Sequence, residues 1–361
     1  MNSATHSGSN SGPHATPSSP GTTLLTPEQI AAARADAARI LEGLDRTLFG
    51  QAELTKLVLV ACLARGHVLL EGLPGLGKTE LVKALATLLG ITFRRLQFTP
   101  DLLPGDVTGG HVLEESNGQR KLVFHPGPVF TNVLLADEIN RASPKTQSAL
   151  LEAMAERRVT VMGETRALPD PFYVLATQNP IELEGTYPLP EAQLDRFLFK
   201  LDVPPVGRDT LQSILTERRG GKPPAHVAAA DAASLARLFA IVDAVFLPKA
   251  VAAYVARVVH ATHPHSDLAT DKVRRFVRHG ASPRAAIAIA ESARAHALLA
   301  GKPNVGFDDV KAVATSAMAH RLVLDYRAKL DAVTARSIVQ DVLSGTPELE
   351  EPLPREVTDA R

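Results

Sequence analysis

Apolar positions fall along this chain in two textures. From Thr26 to about Leu44 they recur at helical spacing, and Thr26-Pro27-Glu28-Gln29 supplies an N-cap, a proline in the first helical position and an acidic first turn. A second helix is predicted from Gln51 to Ala64. Short apolar runs follow at His67–Glu71, Phe93–Phe98, Asn132–Ala136, Phe172–Ala176 and Phe197–Val203, with helical stretches between them. Strands spaced in this way predict a parallel sheet covered by helices on both faces. After Val203 the texture changes. Pro204, Pro205 and the run Gly220 to Pro224 read as a linker over 206–229, and from Ala230 onward Ala, Leu, Val and Arg recur at helical spacing with no clear strand. The expected architecture is an α/β domain over 27–205 and a smaller all-helical domain over 230–345. Tails cover 1–26 and 346–361.

Composition narrows the function classes. At 45 % hydrophobic and 22 % charged residues, the chain is neither wholly disordered nor fibrous. Thirty-nine basic residues balance thirty-nine acidic ones, so no global field draws it to nucleic acid or an anionic membrane. No run approaches the eighteen or so apolar residues of a spanning helix, and no membrane span is expected. Residues 1–26 hold no Lys or Arg and no apolar core, which reads as a disordered tail rather than an export signal. The single cysteine, Cys62, excludes an intramolecular disulfide and a cysteine zinc cage; it suits a reducing cytoplasm and is expected to be buried.

The candidate chemistry begins directly after the first strand. Gly72-Leu73-Pro74-Gly75-Leu76-Gly77-Lys78-Thr79 fits the phosphate-loop pattern and leads into an apolar helical run. Glycines let successive N–H groups turn inward, and the helix N-terminus adds its positive end. Lys78 would reach the β and γ phosphates of ATP, Thr79 would set its hydroxyl on Mg2+, and Glu80 would add a backbone N–H near the α phosphate. The hydrolytic half stands at Asn132–Glu138, an apolar strand ending in two carboxylates. Asp137 would hold Mg2+ through water. Glu138, pointing the other way along the pleat, would orient and deprotonate the attacking water. A third strand ends in Thr177-Gln178-Asn179-Pro180, where Asn179 reads either as an amide that fixes the water or as an ordinary Asn-Pro turn.

Longer motifs carry a resemblance. The stretches Leu135–Ala142, Pro144–Met154, Ala176–Pro180 and Glu184–Phe197, together with Gln97–Pro104 and Gly280–Ala285, resemble the MoxR family of AAA+ ATPases over about residues 50–321. That resemblance implies a ring, with a hexamer expected, in which ATP hydrolysis does conformational work on partner proteins. It places Gly50 and Gln51 near the adenine and makes Asn179 the sensor of the attacking water. It makes Arg196 an arginine finger inserted into the neighbouring subunit's site, and Arg284 a second sensor on the lid touching its own subunit's ATP. From the residues alone both arginines read equally as surface charges. Asp106–Phe124 and Val159–Leu168 correspond to the family's insert and hairpin, with Asn117-Gly118 and Gly163 as turn residues. The implied partner is a protein with a von Willebrand factor A domain.

Weaker features point elsewhere. Lys272, Arg274, Arg275 and Arg278 could form a nucleic-acid footprint but lack interleaved aromatics except Phe276, so a solvated helix face is expected. His260, His263 and His265 have a spacing that a metal could use, with Asp267 the one carboxylate near. Leu150, Leu151 and Met154 are expected in the core. Three other functions share parts of the pattern: the motor subunit of a metal chelatase, a nucleic-acid motor, and an ATP-gated scaffold without turnover.

Overall fold

The computed structural model describes residues 25–116, 119–181, 185–218 and 225–349. The expected tail over 1–24, the Asn117-Gly118 turn, Glu184, the Gly220–Pro224 run and the residues from 350 onward lie outside these. The chain opens with α1 (Pro27–Thr47) and α2 (Ala52–Leu63), then β1 (Val68–Glu71), α3 (Lys78–Leu88), β2 (Phe93–Gln97) and α4 (Pro104–Thr108). A hairpin of β3 (Gly109–Ser116) and β4 (Gln119–Pro126) is followed by β5 (Val133–Asp137), α5 (Pro144–Glu156) and a second hairpin, β6 (Arg158–Val161) and β7 (Glu164–Ala167). The α/β region ends with β8 (Tyr173–Gln178), α6 (Glu191–Leu194) and β9 (Phe199–Asp202). Beyond it lie α7 (Arg208–Glu217), α8 (Ala232–Ala244), α9 (Lys249–His260), α10 (Asp271–Phe276), β10 (Val277–His279), α11 (Pro283–Leu299), α12 (Phe307–Met318), β11 (Val323–Leu324), α13 (Tyr326–Leu330) and α14 (Ala335–Gly345).

The sheet has five strands in the order β2-β5-β8-β1-β9, and every neighbouring pair is parallel. Its central strands are apolar on both sides because helices cover both faces. Leu135, Tyr173 and Leu175 face one core, with α1, α2 and α3; Leu134, Val174 and Ala176 face the other, with Leu150, Leu151 and Met154 of α5. The stripe on α5 is therefore core packing. Cys62 is buried too, and burial pushes its thiol up to about 12. At the start of α1 the Thr26 hydroxyl accepts the Gln29 N–H at 3.3 Å and the Gln29 side chain returns the bond at 2.9 Å, a capping box.

Three departures from the expected architecture have local causes. The linker holds α7, whose residues Arg208–Glu217 precede the Gly/Pro run. The helical region carries a two-stranded antiparallel ribbon, β10 with β11, too short to show any periodicity in sequence. The two regions also share a core, since Ile30, Ala37, Ile40 and Leu44 of α1 join one cluster with Leu238 of α8 and Ile289 and Ala293 of α11.

Two buried histidines lie at the start of the sheet. His67 accepts the Val174 N–H at Nδ1 (3.0 Å) and its Nε2 faces the Met154 carbonyl at 3.2 Å; the Nε2 of His320 faces the Phe197 carbonyl at 3.1 Å. Burial pushes their imidazoles down to about 4 and about 3, so both are neutral in the fold. In the unfolded chain each binds a proton below about pH 6.5, so the stability they permit is full above that pH and falls as acid is added. Urea unfolding followed from about pH 7.5 to about pH 5 is expected to show a loss of about 2 kcal/mol per histidine. A flat profile over that interval would contradict neutral burial.

Candidate functional site

The phosphate loop leaves the C-terminal end of β1 and feeds α3, the edge of a parallel sheet where α/β folds bind ligands. Gly77 caps α3 in left-handed backbone (φ 78°), and a Cβ there would stand 2.7 Å from a Leu48 methyl. Gly75 is also left-handed, at φ 81°. Only glycine satisfies both demands without strain. Lys78 Nζ donates to the Gly72 carbonyl at 2.6 Å. Burial lowers its pKa, against the pull of Asp137 and Glu138.

A cavity of about 360 Å³ opens over this loop, and its walls include Pro74, Gly75, Gly77, Lys78, Thr79, Glu80, Asp137, Glu138 and Asn179. The expected phosphate, metal and water-handling residues thus meet in one place. Leu73 and Leu76 belong to the loop but not to the wall; Leu76 packs against the core. Gly50 and Gln51 line a separate cavity of about 240 Å³ with Leu201, Pro204, Ser316 and Arg336. There Gln51 donates Nε2–H to the Pro204 carbonyl at 3.3 Å, while its buried Oε1 has no hydrogen-bond partner among the described residues.

The two acids do not alternate as the pleat predicts. β5 stops at Asp137, and Glu138 adopts left-handed backbone at φ 56°, ψ 51°, so both side chains face the same cavity. Thr177, at the end of β8, ties them together. Its hydroxyl donates to Asp137 Oδ1 at 2.6 Å and accepts the Glu138 N–H at 2.8 Å. Asp137 Oδ2 takes Arg95 at 2.6 Å, and Glu138 Oε2 takes Gln97 Nε2 at 2.7 Å and Arg141 Nη1 at 3.0 Å. Asn179 is buried, with its Oδ1 accepting the Ile181 N–H at 3.2 Å. Thr79 and Asp137 are hard oxygen donors on one cavity, a set that suits Mg2+ beside phosphates.

Sequence reasoning assigned no role to Arg95, Gln97 or Thr177. Arg95 and Gln97 lie two apart on β2, hence on one side of the strand, and polar side chains at that spacing in an otherwise buried sheet were the available signal.

The two arginines lie elsewhere. Arg196 precedes β9, and Leu198 N–H bonds the His67 carbonyl at 2.8 Å, which sets this segment at the N-terminal edge of the sheet, opposite the phosphate loop. Its exposed side chain donates to the Leu151 carbonyl at 2.8 Å. Arg284, expected at its own subunit's ATP, is not in the cavity wall; its Nη1 stands 3.6 Å from Asp195 Oδ2, next to Arg196 in sequence.

The other candidates are accounted for by local pairing. Lys272 pairs with Asp341 at 3.0 Å and Arg275 with Asp331 at 2.8 Å, while Arg274 bonds backbone carbonyls. The rings of His260 and His263 are 6.3 Å apart, and no group of three metal-binding side chains occurs among the described residues. No helix among them is long and apolar enough to cross a membrane.

Comparison with known proteins agrees with this geometry. Residues 67–199 match the ATPase family associated with various cellular activities (AAA), and residues 271–342 match an AAA lid domain. The uncharacterized protein YeaC of Bacillus subtilis is 42 % identical over 85 % of this chain and 92 % of its own length. Chaperone MoxR1 of Mycobacterium tuberculosis is 45 % identical over 82 % of this chain and 78 % of its own, and protein MoxR of Methylorubrum extorquens 32 % over 85 % and 91 %. A solved structure from Cytophaga hutchinsonii, 33 % identical, superposes with a TM-score of 0.82 over 90 % of this chain and 98 % of that one. With a phosphate loop, a paired-acid strand and a helical lid in one fold, and relatives of this kind along most of its length, the chain belongs to the MoxR family of AAA+ ATPases.

Proposed function

We propose that this protein binds ATP with Mg2+, hydrolyses it, and uses the cycle to remodel or mature partner proteins as a chaperone-like ring in the cytoplasm. The observation that carries the reading is the convergence of Lys78, Thr79, Asp137, Glu138 and Asn179 on one cavity. Lys78, held over the loop, sets its charge against the β and γ phosphates, and the backbone N–H groups of the loop and of Glu80 cradle the rest. Bound Mg2+, held by Thr79 and through water by Asp137, would neutralise charge developing on the transferred phosphoryl group. Glu138 orients the attacking water and takes its proton; Gln97 and Arg141 fix one carboxylate oxygen, leaving the other for that task. Asn179 aligns the same water. The orphaned Gln51 Oε1, beside Gly50, is an acceptor that fits the adenine amine.

Arg196 stands at the far edge of the sheet from its own phosphate loop, a placement that suits service to a neighbour's ATP, while Arg284, which the resemblance makes a sensor of its own subunit's ATP, stands beside Asp195 at that same edge. A finger so placed is useless to an isolated subunit, and a closed ring, a hexamer on the family pattern, gives every site one. The family pattern further points to a client or cofactor carrying a von Willebrand factor A domain. The pairing of Lys272 with Asp341 and of Arg275 with Asp331 supports a protein client over nucleic acid.

Four variants test the chemistry. Lys78→Ala is expected to abolish ATP binding, read by fluorescent-nucleotide titration. Glu138→Gln is expected to bind ATP normally and lose about 10²–10⁴-fold in turnover. Thr177→Val, which removes the bond to Asp137 Oδ1 and the acceptor of the Glu138 N–H, is expected to lose about 10–100-fold in turnover with nucleotide affinity within about threefold of normal. Arg196→Ala is expected to lose about 10³–10⁵-fold and to recover when mixed with Glu138→Gln subunits, whose fingers are intact; failure of that rescue with assembly preserved removes Arg196 from the finger role. The client is sought with the Glu138→Gln form as bait in native lysate, with ATP against ADP. ATP-dependent capture of a protein with a metal-binding A domain is the expected result. Capture of tetrapyrrole enzymes, or of nuclease-sensitive complexes, would overturn it in favour of a chelatase motor or a nucleic-acid motor.

A further inference from the structure

We propose that Asp195 and Arg321 form an interdomain clamp through which the lid positions the Arg196 guanidinium for the neighbouring site. The clamp is built on the backbone either side of the finger. Arg321 follows α12 in the lid, and its side chain is only 4 % exposed. Its Nε donates to Asp195 Oδ1 at 2.7 Å, and its Nη2 reaches the Asp195 carbonyl at 3.2 Å and the Phe197 carbonyl at 2.7 Å. Its Nη1 reaches the Leu198 carbonyl at 3.2 Å and returns to Ala317 of its own helix. One guanidinium therefore grips the carbonyls that flank Arg196 on both sides.

Asp195 is what makes this cation tolerable. Taking Arg321 out of water works against its charge, and the Asp195 carboxylate is the counterweight. The same carboxylate receives the Ser282 hydroxyl, at 3.2 Å to each oxygen, and faces Arg284 at 3.6 Å. Ser282 caps α11 and Arg284 lies in its first turn, so both lid elements that approach the sheet here, α11 and the turn after α12, converge on one side chain. His320, beside Arg321, adds a bond to the Phe197 carbonyl at 3.1 Å. Arg196 itself is exposed and its side chain bonds the Leu151 carbonyl of α5, so the clamp on its flanking backbone is the route by which a displacement of the lid would move the finger. Asp195 and Arg321 are positioning residues; neither reaches the cavity where phosphates bind.

The inference rests on Arg196 serving a neighbouring site, and the test separates the two. In the full-length protein, Asp195→Asn keeps the shape and the hydrogen-bonding reach but removes the charge. ATP affinity, by fluorescent-nucleotide titration, is expected to stay within about threefold of normal. Turnover is expected to fall about 10²-fold, the cost of misplacing a group by about 1 Å, with KM unchanged. Three results distinguish positioning from a general loss of structure. On the Arg196→Ala background, Asp195→Asn is expected to cause no further loss. Mixing Asp195→Asn subunits with Glu138→Gln subunits is expected to restore turnover, because the Asp195→Asn sites are competent once a neighbour supplies a well-placed finger. Ser282→Ala, which leaves the Arg321 pair intact and guards against a misfolded Asp195→Asn, is expected to lower turnover a few-fold and likewise to cause no further loss on the Arg196→Ala background. Additive losses on the Arg196→Ala background, full activity of both variants, or failure of the mixing rescue where Arg196→Ala itself is rescued would each overturn the clamp. If Arg196→Ala is not rescued either, the finger assignment fails, and the clamp falls with it.

Discussion

The site depends on a single residue in an unfavourable backbone conformation. Glu138 sits in the left-handed region at φ 56°, which costs a non-glycine residue about 1–3 kcal/mol. Without that turn, a strand would send Asp137 and Glu138 to opposite faces of the sheet, and one of them would miss the cavity over the loop. The surrounding bonds over-determine the turn. Thr177 receives the Glu138 N–H, the Glu138 carbonyl accepts the Arg141 N–H at 2.9 Å, and the carboxylate is held by Gln97 and Arg141. Two of those supports, Gln97 and Thr177, come from neighbouring strands, β2 and β8. The register of the parallel sheet therefore fixes the geometry of the acids: Gln97 is opposite Asp137, and Ala136 opposite Ala176.

Much of this was legible before any coordinate. The phosphate loop is a local device whose glycines answer a local demand, and the central strands β1, β5 and β8 announce themselves as apolar runs because helices bury both faces. What escaped is what depends on tertiary contact. Glu138's direction was read from the pleat, although the strand ends one residue earlier. Arg321 looks like any charge near a helix end until the fold delivers it to the backbone around Arg196. The ribbon of β10 and β11 is too short for a period, and α7 was hidden by the prolines and glycines around it. The boundary between domains was clear in composition but not in packing, because α1 comes first in the chain and yet buries its apolar stripe partly against α8 and α11 of the lid.

That shared core bears on how the parts move. A lid joined to the sheet by a flexible tether alone would have no fixed relation to either edge of it. Here the lid is held on the α/β region both by apolar packing and by polar contacts. Apolar packing of α8 and α11 on α1 and α2 is broad and non-directional, whereas the Asp195–Arg321 contact is directional and meets the chain within one residue of Arg196. Broad packing permits small sliding at little cost, and a directional contact converts such sliding into displacement of whatever it holds.

The arrangement also separates two jobs that one arginine could not do alone. Arg196 is exposed and bonds the Leu151 carbonyl of α5, so it is not the residue that joins the lid to the sheet. Arg321 must be buried to grip carbonyls with a fixed geometry, and a planar guanidinium with its fork of donors suits this where a lysine would not. Burying such a cation is unfavourable unless a carboxylate accompanies it, which requires an acid at position 195 rather than a neutral hydrogen-bonding group. The adjacent pair then serves two contacts: Asp195 meets Arg321 of the lid, and Arg196 meets the Leu151 carbonyl of α5.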